Sequence, residues 1–140
     1  MIEIAPSLQP GEVVANRFVV RRLRARFGVN EIHEAHDRRF DRVVDLFSAP
    51  VEPARACFIE RSLRRDVALA QRVRHPNVWQ LHSYEPTRYG GVIVAEHLEG
   101  YSLHKVIRDR HQETGFTGET FRSIARQLSE GLTAIHAAGI

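Results

Sequence analysis

Gly90-Gly91-Val92-Ile93-Val94-Ala95-Glu96-His97-Leu98-Glu99-Gly100 is the stretch whose reading decides the fold. Its apolar, β-branched run is bounded by glycines and by polar residues, so 92–96 reads as a strand. Gly90-Gly91 reads as a hairpin turn, which pairs this strand with one around 78–84. Just upstream, His75-Pro76-Asn77 stops a helix, because the residue before a proline resists the helical conformation. That helix spans 54–73, with Phe58, Leu63, Val67, Ala70 and Val73 on one stripe. Pro50 and Pro53 separate it from a strand at 42–48, before which come a strand at 31–36 and a turn at 24–30. Phe18, Val20 and Arg22, alternating with Val19, Arg21 and Leu23, make the first strand. Residues 1–16, with Pro6, Pro10 and Gly11, are a lead-in. Downstream, 102–110 is a short amphipathic helix, and 118–138 a longer one stopped by Gly139.

Five strands with one embedded helix predict an α+β unit, a mostly antiparallel sheet with a helix packed on it. The chain has 140 residues, 43% of them hydrophobic and 26% charged, which is one domain's worth of globular composition. Its single cysteine, Cys57, excludes an internal disulfide framework. No apolar run reaches the roughly 18 residues of a spanning helix, and Met1-Ile2-Glu3-Ile4-Ala5-Pro6 lacks the basic start of a secretory signal, so a cytoplasmic location is expected. The net charge is +3, and of 20 basic residues all but Lys105 are arginine. Acids interrupt them, as in Arg61-Ser62-Leu63-Arg64-Arg65-Asp66, which is the pattern of a solvated surface. Nucleic acid is not an expected partner.

The element order and the words it carries resemble the front half of a serine/threonine protein kinase domain of the bacterial type, from about Phe18 to Ile140. The words are Glu34-Ala35-His36-Asp37, Leu69-Ala70 before His75-Pro76-Asn77-Val78, the 92–100 stretch, Ser102-Leu103, and Ile124-Ala125-Arg126-Gln127-Leu128 with Ile135-His136-Ala137-Ala138-Gly139-Ile140. The resemblance implies a kinase N-lobe with hinge over 17–98 and the first two helices of a truncated C-lobe over 99–140.

It also implies a nucleotide site, and the residues here depart from it. The glycine-rich loop that lets backbone amides approach ATP phosphates falls on Ala25, Phe27 and Asn30. The third-strand alanine and lysine fall on Asp45 and Phe47, a carboxylate under the base and a phenyl ring at the cation position. The helix glutamate that pairs with that lysine falls on Asp66. Ala95 gates the rear of the pocket, Glu96 to Leu98 supply the hinge backbone, and Ile32 would cover the base. ATP and Mg²⁺ enter through the resemblance alone, and no resident cofactor is expected.

Other constellations are bland. His33 and His36 point to opposite faces of a strand, and no histidine pair has ligand spacing, so no metal site is expected. Phe121, Ile124, Leu128, Leu132 and Ile135 line one face of the last helix; left wet, such a face forfeits about 1.5–3 kcal/mol per residue and marks a contact. The expectation is therefore a catalytically inactive, pseudokinase-like chain, not an enzyme at this length. It would bind another protein or a second copy of itself through that helix. Two alternatives stand beside it: an unconventional kinase in which Arg24 or Arg26 replaces the lysine charge, and an arginine-mediated polyanion binder.

Overall fold

The computed structural model describes residues 7–48, 56–87, 90–110 and 116–140, without the side chains of 56–59 and 110. Pro50, Pro53 and His111, and the side chains of Cys57 and Phe58, lie outside the described residues. The elements are β1 (Val13–Val14), β2 (Phe18–Phe27), β3 (Asn30–Asp37), β4 (Arg42–Ser48), α1 (Ala56–Ala70), β5 (Leu81–Thr87), β6 (Gly90–Glu96), α2 (Leu103–Arg110) and α3 (Gly118–Ala137). The strands form one antiparallel sheet in the order β1-β2-β3-β4-β6-β5. This is the expected α+β architecture, an antiparallel sheet with one embedded helix followed by two more, with six strands among the described residues where five are expected.

The additional strand comes from the lead-in. Val13 and Val14 pair with Val19 and Phe18, and Gly11 N–H donates to Val20 O at 2.8 Å. Leu8 and Val14 then join the core of Phe18, Val20, Ala35, Val44, Leu46, Val92 and Val94. Strand period brings these together: Val44 and Leu46 share a side of β4, facing Ala35 of β3 and Val94 of β6 in register.

Residues 24–30 also differ from expectation. They are not a broad turn, because β2 runs to Phe27 and reverses through Gly28-Val29 alone. Gly28, at φ +60°, is the first central residue of that two-residue loop, where a side chain would be strained. Cross-strand ion pairs hold the extension: Arg22 donates to Glu34 at 2.6 Å and Arg26 to Glu31 at 2.5 Å. Two register shifts, between Val20 and Arg22 and between Leu23 and Ala25, bend β2 along this length.

Gly90 and Gly91 belong to β6 itself, pairing with Thr87 and Pro86, and β5 begins at Leu81. Of the expected stripe's described side chains, Val67 on α1 and Val73, three residues past its end at Ala70, are buried, and Gln71 Nε2 donates to His82 O between α1 and β5. Helix α3 starts on Thr117, whose hydroxyl accepts from Thr120 N–H, and docks on the turn after α1. Its buried Gly131 allows the contact, since a Cβ there would sit 2.8 Å from Asn77 O, and Asn77 Nδ2 donates to Glu130 at 3.0 Å.

Candidate functional site: a hinge engaged by its own side chains

Alternation places Val43, Asp45 and Phe47 on the side of β4 away from the core, with Glu34 and Ile32 beside them on β3 and Ala95 and Ile93 on β6. Phe47 is half-buried between Ile32 and Ile93 in register, an apolar strip where the resemblance calls for a cation. Ala95 is fully buried opposite Asp45. Asp66 is exposed on α1 and accepts from Ser62 of its own helix at 3.3 Å. Ala25 faces Ile32 across β2 and β3, while Phe27, about half exposed, pairs with Asn30 across the Gly28-Val29 loop. The glycine-loop positions thus form a regular ladder.

Asp45 organises the site. Only 1% exposed, its carboxylate accepts from Arg24 Nη1 at 2.5 Å through Oδ2, and Oδ1 lies 2.9 Å from His97 Nδ1. Leu98 N–H donates to the same Oδ2 at 3.4 Å. Arg24 then reaches over the hinge and donates from Nη2 to Leu98 O at 2.5 Å. One step back along the hinge, the Trp79 indole N–H donates to Glu96 O at 2.8 Å, and the Glu96 carboxylate accepts from Gln80 N–H at 2.8 Å. The hinge groups Glu96 O, Leu98 N–H and Leu98 O are therefore all engaged within the chain. Charge pairing makes a buried carboxylate tolerable here: alone it would carry a desolvation penalty of several kcal/mol.

The neighbouring charges are settled the same way. Arg26 lies on Glu31, which also accepts from Ser7 at 2.5 Å; burial pushes the Glu31 carboxyl up, but Ser7 and Arg26 together hold it below its ordinary value. At the far end of β3, the Arg17 guanidinium holds the Asp37 carboxyl down at about 2, helped by the Arg39 N–H. The partners of Asp45 escaped the sequence reading. Arg24 sits 21 residues from Asp45, His97 52 and Leu98 53, and only the β2 irregularity between Leu23 and Ala25 marks Arg24 as displaced from the strand pattern.

The last helix divides. Phe121 and Leu132 are exposed, Ile135 is partly covered, and Ile124 and Leu128 line a groove of about 720 Å³ with Trp79, Leu98, Tyr101 and Val106.

Sheet, hinge and helices define a protein-kinase-like chain homologous to serine/threonine protein kinases. Among relatives, it is 30% identical over 120 residues to the serine/threonine-protein kinase PknD of Mycobacterium tuberculosis, covering 85% of this chain and 18% of PknD. It is 28% identical over 138 residues to the Bifidobacterium longum protein named "Probable serine/threonine-protein kinase pknA2", covering 94% of this chain and 17% of that one. The chain therefore spans less than a fifth of the length of these two relatives. Among solved structures, the PknI kinase domain of M. tuberculosis superposes with a TM-score of 0.80 at 19% identity, over 96% of this chain and 54% of that one. No family model matches. No helix among the described residues is long and apolar enough to cross a membrane.

These relatives correct one expectation. The sequence reading held the chain to be no enzyme, yet the proteins it matches are named as kinases, which are enzymes. Even so, the resemblance would place a cation at Phe47, whose ring cannot supply one, and the Arg24–Asp45 pair already engages the backbone groups of Leu98.

Proposed function

We propose that this is a regulatory kinase-like domain of the cytoplasm that works by docking to another protein through the apolar face of α3. The observation that carries the reading is the exposure of Phe121, Leu128 and Leu132, at 65%, 57% and 53%, on a helix otherwise anchored through Gly131. Exposed apolar area of this kind is usually a contact surface. The test is the Leu128→Asp/Leu132→Asp variant of the natural full-length product. The variant should lose its complex, with a partner or with a second copy, in sedimentation velocity while keeping its Tm. A fall in Tm with association unchanged would mean that the face packs against the protein's own remaining chain, and would end the proposal.

A second reading draws on the relatives, which are named as kinases: the chain is the front portion of an unconventional serine/threonine kinase in which Arg24 or Arg26 supplies the lysine charge. Both arginines are already committed, Arg24 to Asp45 and Leu98 O and Arg26 to Glu31. This reading expects Arg26→Ala to abolish phosphoryl transfer by the full-length product; unchanged transfer would remove it. The polyanion reading gains nothing, since Arg17, Arg22, Arg24 and Arg26 are all paired with carboxylates.

A further inference from the structure

A purine base meets a backbone hinge with one acceptor and one donor on the same edge, facing an N–H and a C=O. At Leu98 those two backbone groups are already met by that combination. Asp45 Oδ2 accepts from Leu98 N–H at 3.4 Å, Arg24 Nη2 donates to Leu98 O at 2.5 Å, and the two side chains are joined at 2.5 Å. The carboxylate is acceptor-only and the guanidinium donor-only, so each group takes the one role open to it.

We propose that the Arg24–Asp45 pair is a built-in occupant of the base position, an internal stand-in for adenine that closes the hinge to adenine-type ligands. This rests on the regulatory reading above and names the regulation of that cleft. The arrangement is built into the fold at three points. Asp45 replaces a small roof residue and is almost wholly buried. His97 Nδ1 sits 2.9 Å from its second oxygen. The β2 irregularity between Leu23 and Ala25 falls at Arg24, and such bulges re-aim side chains. An adenine-type base must displace the guanidinium and then lie against a buried carboxylate, which repels its ring nitrogens. Removing both side chains together leaves no orphaned charge and frees both Leu98 groups.

The test is titration of the ¹⁵N-labelled chain with adenosine, which lacks phosphates and so is indifferent to the missing cation at Phe47. The Arg24→Met/Asp45→Ala variant should show saturable shifts at the Leu98 amide, with an affinity at least about tenfold above that of the wild type, a difference of about 1.4 kcal/mol. Val44, Leu46 and Val94 amide shifts report that the variant keeps its core. Equal affinity in both proteins would overturn the inference, and so would a folded variant that binds no adenosine. A second measurement needs no variant: in the wild type, the Arg24 guanidinium protons should exchange slowly and show contacts to Leu98. Rapidly exchanging, freely rotating Arg24 protons would overturn it as well. Failure here leaves docking through α3 untouched, and loss of docking leaves the adenosine result standing.

Discussion

On one side of the sheet, Val44 and Leu46 of β4 pack with Phe18, Val20, Ala35, Val92 and Val94, all close to fully buried and all apolar. On the other side, the same strand turns Asp45 next to Glu34 of β3, two nearly buried carboxylates facing each other in register. Like charges directly opposite destabilise a sheet. Here each is neutralised by its own arginine from β2, Arg22 on Glu34 and Arg24 on Asp45. The apolar cluster of the first side is held by area, which is non-directional and tolerant of substitutions that keep volume, with the buried Glu31, His33 and Asp37 of β3 on the same side around it. The second is held by pairs that are worth little when complete and cost much when halved. The comparison therefore predicts opposite responses to double substitution. Losses on the apolar side accumulate, whereas on the charged side a second loss repairs the first.

The largest effect belongs to the apolar side. Leu46→Ala, at a fully buried position, should lower stability by about 3–4 kcal/mol in urea unfolding, through lost transfer energy plus the cavity left behind. A loss below about 1 kcal/mol would mean that this side is not the core. Next comes the charged side: Arg24→Met should cost about 3 kcal/mol, because it leaves the Asp45 carboxylate buried without its cation. Adding Asp45→Ala should return most of that loss. A double variant as unstable as the sum of its parts would break the comparison, since the two sides would then behave alike.

The same contrast explains what the chain disclosed before its structure was known. The apolar side is a local pattern: Val44 and Leu46 alternate with Asp45, and two-residue periodicity alone assigns them to one face. Element order was legible for the same reason. The extension of β2 to Phe27 was hidden because Arg22, Arg24 and Arg26 look like surface charge until Glu34, Asp45 and Glu31 are seen across from them. The strand in the lead-in was hidden by the prolines and glycine around it, since Val13 and Val14 are too few to carry a period. The hinge closure depends on partners more than fifty residues apart, which no window along the chain contains.

A third effect, intermediate in size, comes from Asp37, a buried carboxylate whose partner is an adjacent arginine. Arg17 Nε and Nη2 reach its oxygens at 2.7 and 2.6 Å, and its pKa is lowered from 3.8 to about 2. The folded state thus holds its proton more weakly than the unfolded chain does. The stabilisation is present above pH 4 and is lost as the pH falls from about 4 to about 2. Nearly two pKa units correspond to about 2 kcal/mol over that interval. Acid titration of stability should show this limb in the wild type, and Arg17→Met should flatten it. A limb of equal depth in the variant would assign the acid sensitivity to another carboxylate.

The smallest effect is the control that gives the others their meaning. Arg64 donates to Glu60 one turn earlier on α1 at 2.9 Å, a geometry as good as that of the sheet pairs. Both side chains are substantially exposed, so water and salt supply most of what the partner supplies, and ordering two long side chains offsets part of the gain. Glu60→Gln should therefore change stability by less than about 0.5 kcal/mol, and by still less at high salt. Arg24→Met should hold its penalty as salt rises, because Asp45 lies where ions do not reach. If the two pairs instead fade together with added salt, the charge under the hinge is solvated, and the distinction between the two sides of the sheet is one of composition rather than of environment.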